Sequence, residues 1–374
     1  MLLQWFEVQG YKNFRAPVRL EDLGALNIIH GDNNTGKSNL LESLGLLFLA
    51  LGALREQSSA LTSVVEGFAR PSAASTRNAA TTAIRSDSYL AERGFAANDI
   101  FDFTSQAPIT LRASFQCGAG DVAEGDLPES SGPIQVELRI ERRPEGVAIS
   151  LVGLEQAEGA DSSTAPSDEV ARVLHLLGRG AATRPPGLRF LLIRPDRSVI
   201  GDPRRQESAR LLVREPMPQD LALALYEAER DKGAPRRRFG RFVAALEQMR
   251  GLVGDGRWRM DYTLKTERAE LSLERGSELI PLRLMGSGVQ QIAVLAGRLA
   301  MAGPAVVAIE EPELNLRWSA QHRLRDVLRE LCTGEDGPSQ LIVASHSSAF
   351  EFEPMFYALS LGVDGPQVRQ RPAA

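Results

Sequence analysis

Gly31, Gly36, Lys37 and Ser38 stand at the spacing G-x-x-x-x-G-K-S within the stretch GDNNTGKSN, residues 31–39. That spacing is the phosphate-binding loop pattern. Glycines let the backbone close around phosphate oxygens and aim its N–H groups inward. A helix starting at Lys37 would add the positive end of its dipole. Lys37 would then reach the β- and γ-phosphates, and the Ser38 hydroxyl would ligate Mg2+. The pattern requires a strand before it and a helix after it. The apolar run LNIIH, Leu26–His30, supplies the strand, and residues 37–54 supply the helix. This helix is expected to be too short for a membrane span of roughly 20 residues. Glu42 also interrupts it, so a buried core helix is expected.

A second chemical stretch is PAVVAIEEPELNL, residues 304–316. A buried strand over 305–309 would end in the adjacent acids Glu310 and Glu311. A phosphate-loop ATPase needs a strand-end acid for the Mg2+ shell, which Glu310 fits. A neighbouring acid can polarise the attacking water, which Glu311 fits. Further on, QLIVASHSS reads as a strand over 340–344 followed by Ser345, His346 and Ser347. Strand C-termini are where an open α/β sheet binds its ligand, so His346 could donate to the γ-phosphate. In LMGSGVQQ, Gly286, Ser287 and Gly288 precede a helical segment over 289–302, with Ser287 placed as its N-cap. This makes a second anion-binding helix terminus. One ATP does not need both termini from one subunit, whereas two facing subunits can offer this one to each other's γ-phosphate.

Several elements must position these groups. The opening stretch, LLQWFEVQGYKNFRAPVRLEDL, alternates apolar and polar residues and predicts one or two strands meeting at a turn near 12–17. Residues 57–98, rich in Ala, Ser, Thr and Arg, read as weak helix or a flexible insertion. PITLRASFQC, PIQVELRIERR and GVAISLVGL predict an antiparallel sheet. EQAEGADSSTAPSDE is a linker, and GLRFLLIRP is another strand. Residues 218–252 are helical in pattern and contain the basic run RRRFGR. WRMDYTLKTERAELSLERGSELIPL returns to strands. There is no internal repeat and no sustained heptad pattern, so no long coiled coil is expected.

The chain has 374 residues, enough for one large or two smaller cores. No signal peptide or transmembrane segment is read, so a cytoplasmic protein is expected. Cys117 and Cys332 are isolated. The four histidines, His30, His175, His322 and His346, are scattered, which argues against a structural zinc site. The net charge of −5 gives no global attraction to nucleic acid. A local patch could: Arg236, Arg237, Arg238 and Arg241 cluster, and Arg237 and Arg241 would share a helix face. That face could grip phosphates or simply be solvated.

In order and kind, these motifs resemble ABC-class ATPases, most closely the RecF, SMC and OLD branch. VQGYKNFR is similar to that branch's opening strand and turn. GDNNTGKSNLLESL is similar to its phosphate loop, and the resemblance adds Asn33, Asn34 and Asn39 to the nucleotide contacts. LMGSGVQQ resembles the OLD-like signature, giving signature roles to Ser287, Gly288 and Gln290. IEEPELNL resembles the OLD-like Walker B and D-loop. Where that family continues His-Leu-His-Pro, this chain has Asn315, Arg317 and Trp318. The departure touches the D-loop contacts between subunits and not the nucleotide residues.

The resemblance also implies a Mg2+-directed Q-loop glutamine, for which Gln106 is the candidate. It would place Tyr11, Phe14 and Arg15 near the adenine or phosphates. The implied fold is α/β: an ABC-type head with a mostly parallel sheet flanked by helices, an antiparallel β subdomain and a helical insertion. The segments would be 1–56 (N-terminal strands and phosphate loop), 57–160 (insertion and antiparallel subdomain), 161–256 (helical or linker insertion) and 257–374 (signature, Walker B and switch-histidine half). The implied cofactors are ATP and Mg2+. The implied action is an ATP-driven homodimeric switch. OLD nucleases carry a Toprim domain after the ATPase, and the short tail beyond His346 is expected to hold none. Stand-alone ATPases of this kind resemble the ATPase halves of Septu-type and retron-associated anti-phage systems, which work with a separate effector such as a nuclease. The alternatives are a RecF-like DNA repair clamp and a nuclease with a site in the middle region.

Overall fold

In the computed structural model, the chain opens with an antiparallel pair. β1 (Leu2–Gln9) turns back through residues 10–17 into β2 (Val18–Leu20). β3 (Leu26–His30) then leads through the glycine loop into α1 (Lys37–Glu56). The described residues are 2–56, 80–84, 95, 99–102, 104, 107–116, 133–144, 146–156, 189–195, 199–200, 217–253, 255–332, 337–351, 356–363 and 365–371. Gln106, Cys117 and His175 lie outside them.

β4 (Ala80–Ile84), β5 (Ile109–Gln116), β6 (Ile134–Arg143) and β7 (Gly146–Gln156) join the first two strands in an antiparallel sheet of order β2-β1-β5-β6-β7-β4. The antiparallel sheet expected from the alternating stretches is present. Two features extend it: β1 pairs directly with β5, and Ala80–Ile84 is an edge strand on β7 where weak helix or a flexible insertion was expected.

The second sheet follows the order β16-β15-β3-β14-β13-β8-β9. Its strands are β8 (Phe190–Ile193), β9 (Val199–Ile200), β13 (Val306–Glu310), β14 (Gln340–Ser345), β15 (Phe356–Gly362) and β16 (Gly365–Arg371), together with β3. The five inner strands, β15-β3-β14-β13-β8, are parallel, and β16 and β9 are antiparallel edges. β15 and β16 therefore pair with each other and belong to this sheet.

Side-chain alternation explains how the parallel strands are buried on both faces. Ile29, Val306, Ala308, Ile342 and Ala344 point to one core, and Ile28, Val307, Ile309, Leu341 and Val343 point to the other. The first core holds α1 between the two large sheets, with Leu40, Leu44 and Leu47 buried and Phe48 stacked on Phe190 and edge-on to Phe115. Truncating Leu44 to Ala would cost about 2–5 kcal/mol. By length and composition, Lys37–Leu54 could cross a membrane, contrary to the expectation that it is too short. However, 72% of that window is buried inside the protein, as expected of a core helix.

The second core lies under α2 (Gln219–Arg230), α3 (Ala234–Gln248), α5 (Ser287–Ala302) and α6 (Trp318–Cys332), with the short α4 (Arg250–Val253) after α3. A small antiparallel sheet, β10 (Arg257–Thr263), β11 (Arg268–Arg275) and β12 (Glu278–Pro281), docks on α2. Gln219 fixes that contact by exchanging two hydrogen bonds with the Ala269 backbone, at 3.1 and 3.2 Å. Among the described residues there is no long coiled-coil helix.

Buried amides stitch the sheets together. Gln340, fully buried, donates to the carbonyls of Leu3 and Gly24 and accepts from the Leu3 N–H. Leaving any of these groups unmade would cost about 1–3 kcal/mol.

Candidate functional site

The C-terminal ends of β3, β13, β14 and β8 converge, and the chemistry-bearing residues sit there. The loop after β3 needs its glycines. A Cβ on Gly31 would collide with the Leu359 carbonyl oxygen, and Gly36 has φ +102°, which favours glycine. Thr35 closes the turn by donating its hydroxyl to the Asp32 carbonyl at 2.9 Å. Asn33 and Asn34 are exposed on the loop. Lys37 is buried and donates to the carbonyls of Gly31 (2.7 Å) and Asp32 (2.8 Å). Burial lowers its pKa from the usual lysine value, while Glu311, Glu313 and Asp32 pull it back up. The loop lysine and the EEPE acids thus share one field.

Ser38 begins the exposed side of α1 and hydrogen-bonds the Glu310 carboxyl. Glu310, the last residue of β13, is 7% exposed. Its pKa is pushed up to about 7, first by burial and then by Glu42, with Arg194 and the Ser38 hydrogen bond acting downward. Its Oε1 is buried with no partner. A hydroxyl and a carboxyl oxygen are hard ligands that suit Mg2+, and the orphaned oxygen leaves a donor position to fill. Among the described residues no group of three or more His, Cys, Asp or Glu could hold a metal. A cation here would therefore complete its shell with phosphate oxygens and water.

Glu311 follows with φ +43°, a left-handed conformation that is uncommon for a non-glycine residue. Its N–H donates to the Ala344 carbonyl at 2.8 Å, and its side chain stays partly exposed. Across the gap, His346 Nδ1 lies 3.9 Å from Glu311 Oε1 and 3.4 Å from Glu313 Oε1.

Two groups at the site carry no sequence expectation. Glu313 is buried between β13 and β14, where its Oε1 accepts from Ser345 Oγ at 2.7 Å and from the His346 N–H at 3.1 Å. Arg194 follows β8, one residue beyond the Ile309–Ile193 pairing, and forms an ion pair with Glu42 at 2.8 Å. Glu42 also takes hydrogen bonds from Tyr11 Oη and Lys12 Nζ. The visible signal for Arg194 was a cation closing the apolar run FLLI. Its meaning depends on β8 pairing with β13, which spacing along the chain cannot reveal.

The opening-turn candidates pack against the phosphate loop from behind: a Cβ on Gly36 would lie 3.3 Å from the Phe14 ring. Tyr11 and Phe14 are fully buried core residues, so neither ring is free to meet an adenine. Arg15 forms an ion pair with Asp102 at 2.8 Å. Asn39 spends its side chain on Asn13 and Lys12, holding the opening turn against α1.

Gly286, and not Ser287, occupies the N-cap of α5, with no side-chain cap bond. Ser287 is therefore the first helical residue, and it is exposed. Gln290 turns back to the carbonyls of Leu282, Arg283 and Met285. Gly288 lies against the Asn315 carbonyl and Leu316, so the segment 286–290 adjoins residues 315–316 of its own chain. α5 packs in the core on the face of the parallel sheet opposite α1.

Arg241 donates to the Leu331 carbonyl, tying α3 to the end of α6, and Arg236 donates to the Glu229 carbonyl.

Comparison with known proteins adds three findings. Residues 159–351, just over half of the chain, match the AAA_21 family, described as "AAA domain, putative AbiEii toxin, Type IV TA system". The match spans Glu310, Glu311 and His346 and excludes residues 31–38. No curated protein matches the chain. Among solved structures, an SMC head bound to the C-winged helix domain of ScpA is similar over 100% of this chain and 98% of its own, with TM-score 0.52 and 15% identity. The SMC head domain from Thermotoga maritima aligns over 99% of both chains, with TM-score 0.49 and 14% identity. The fold is that of an SMC-type ATPase head.

Proposed function

Because the chain belongs to the AAA_21 family of AAA domains, we propose that it binds ATP with Mg2+ on residues 31–38 and hydrolyses it between two copies of itself. One observation carries the reading: Lys37, Ser38, Glu310, Glu311 and His346 come together at the strand ends, with a buried Glu310 oxygen lacking a partner. In this reading Lys37 leaves the Gly31 and Asp32 carbonyls for the β- and γ-phosphates. The metal ion would be held by Ser38 and Glu310, and when bound it supplies charge neutralisation at the phosphate oxygens. Glu311 takes the proton of the attacking water, and His346 donates to the terminal phosphate.

The two-copy arrangement is supported by the position of the signature segment. Ser287 is exposed at the start of a helix packed on the far face of the sheet from α1. Leu284, three residues before it, is also exposed. A second copy would bring its Ser287, Gly288 and the α5 terminus to the γ-phosphate, so that ATP closes the pair and hydrolysis opens it.

The biological role we infer is that of a regulatory ATPase, of the OLD-like anti-phage kind, working with a separate effector protein. The family's description as a toxin of a toxin–antitoxin system and the SMC head's complex with a winged-helix partner support a protein partner. The test is ATP-dependent association of the purified protein, followed by light scattering alongside ATP binding. ATP binding without association would remove the switch, and no ATP binding would remove the whole reading.

A further inference from the structure

Glu313 has no part in the roles assigned above, yet its placement is the most constrained at the site. It is 3% exposed. Its Oε1 gathers the Ser345 hydroxyl, the His346 N–H and the approach of His346 Nδ1 at 3.4 Å. Its Oε2 is buried with no partner. A carboxyl group held only for packing would be better satisfied or replaced by an apolar side chain of the same shape.

The backbone is bent to aim it. Glu311 (φ +43°) and Asn315 (φ +62°) flank it in the left-handed region, and the turn is closed by Leu314 N–H to Glu311 O and Leu316 N–H to Glu313 O. Such conformations persist where the surroundings over-determine them. Here the surroundings form a loop of bonds: Ser345 Oγ accepts from the Ser347 N–H (3.0 Å), Ser347 Oγ donates to Gln321 Oε1 (2.6 Å), and Gln321 Nε2 donates to the Leu316 carbonyl (2.9 Å).

We propose that Glu313 is the positioning residue of His346: it holds the imidazole by its Nδ1 edge and presents Nε2 to the terminal phosphate of a nucleotide on residues 31–38. The second half of this statement rests on the nucleotide reading above, and the first half does not. Which ring nitrogen carries the proton is set by the bond the other nitrogen makes. Both carboxyl groups near the ring, Glu313 and the more distant Glu311, lie on the Nδ1 side. Nε2 is thereby left for the ligand, and it donates to a phosphate oxygen in the ring form that carries protons on both nitrogens. Glu313 acts through the histidine and not on the water.

The test has two arms. In the first, 15N-histidine-labelled full-length protein is examined by NMR without nucleotide, with the His346 signals assigned by their loss in His346→Gln. The proposal expects a proton on Nδ1 in the wild type and a changed nitrogen pattern in Glu313→Gln. A wild-type ring protonated at Nε2 alone would overturn it. This arm needs neither the variant nor any ATPase activity, so it decides the matter even if Glu313→Gln does not fold or the nucleotide reading fails. In the second arm, Glu313→Gln should lower kcat by roughly ten-fold or more with KM for ATP unchanged. In a His346→Ala background the same change should cost nothing further. An equal loss in both backgrounds would show that Glu313 acts independently of the histidine. An ATPase activity unaffected by Lys37→Ala would instead defeat the nucleotide reading and leave the first arm standing.

Discussion

The phosphate-loop region and the signature region are built in opposite ways. At residues 31–38 and the facing strand ends, the buried charged groups are engaged inside the chain: Lys37 on two carbonyls, Glu310 with Ser38, and Glu313 with Ser345 and His346. At residues 284–290 the outward groups engage nothing comparable. Ser287 is exposed, α5 starts without a side-chain cap, and Leu284 stands 71% exposed. Gln290 is the exception, and it points back into its own turn. The first region is a site already assembled. The second is an exposed helix start, which the proposed reading gives to a second copy of the chain.

The largest effect should come from the assembled half. Glu311→Gln is expected to slow hydrolysis by roughly 10²–10⁴-fold if Glu311 accepts the water proton. ATP binding should persist, since Lys37 and Ser38 are untouched. Single-turnover hydrolysis and equilibrium ATP binding, measured on the same preparation, check this. A variant that loses binding as well would move Glu311 from chemistry to structure.

Ser287→Arg addresses the other half. A bulky cation there should leave ATP binding to isolated subunits intact and remove both ATP-driven association and hydrolysis. Mixing it with Lys37→Ala gives a hybrid in which one shared site carries both lesions and the other carries neither. If catalysis needs one composite site, activity returns on mixing. Normal hydrolysis by Ser287→Arg alone would show that the two regions are not parts of one site.

A third test concerns how the assembled half behaves without ligand. The Glu310 carboxyl is pushed from its ordinary 4.5 up to about 7, chiefly by burial. A carboxyl whose pKa rises on folding favours the folded state while protonated. Its contribution is therefore fully present below about 4.5 and is lost as pH rises through about 7. The loss is on the order of 3 kcal/mol. Denaturant unfolding of the metal-free protein between pH 5 and 8 should show this slope, and Glu310→Gln should flatten it. Arg194→Ala should move the step to higher pH, because the Arg194 charge acts to lower this pKa. A wild-type profile no steeper than that of Glu310→Gln would mean the carboxyl is less buried than described.

Much of the assembled half was legible in the sequence, because its information is local. Gly31, Gly36, Lys37 and Ser38 declare themselves by spacing, and the apolar runs before Glu310 and Ser345 are short enough to be buried strands. What escaped depends on pairings between distant segments. Arg194 matters because β8 lies beside β13, and Glu313 because the turn after β13 folds its side chain back toward β14. Tyr11 and Phe14 sat in a stretch suggestive of a nucleotide face, but the antiparallel sheet and α1 close over them. The strand Ala80–Ile84 has a weakly apolar sequence and is specified by the edge of β7. Ser287 looked like a cap because serine favours that position, yet Gly286 takes it with extended φ and ψ. The arginine cluster had helical spacing, but partner carbonyls on Glu229 and Leu331 decide where two of its side chains go.

The smallest expected effect is at Gln290, and it separates two accounts of the signature region. If Gln290 were a nucleotide contact, its removal would weaken ATP-driven association strongly, much as Ser287→Arg should. Its amide instead reaches the carbonyls of Leu282, Arg283 and Met285, the nearest at 2.9 Å. These are the carbonyls of the turn that sets the start of α5. Gln290→Ala should therefore cost stability, about 0.5–1.5 kcal/mol for one net hydrogen-bonding group, and loosen the presentation of Ser287 without removing it. Association with ATP should weaken only a few-fold, and hydrolysis per associated pair should be unchanged. Denaturant unfolding gives the first quantity, and light scattering with ATP titration gives the second. A stability change within error, together with a loss of association as deep as that of Ser287→Arg, would place Gln290 on the partner's nucleotide. The two halves of the molecule would then differ less than their resting contacts indicate.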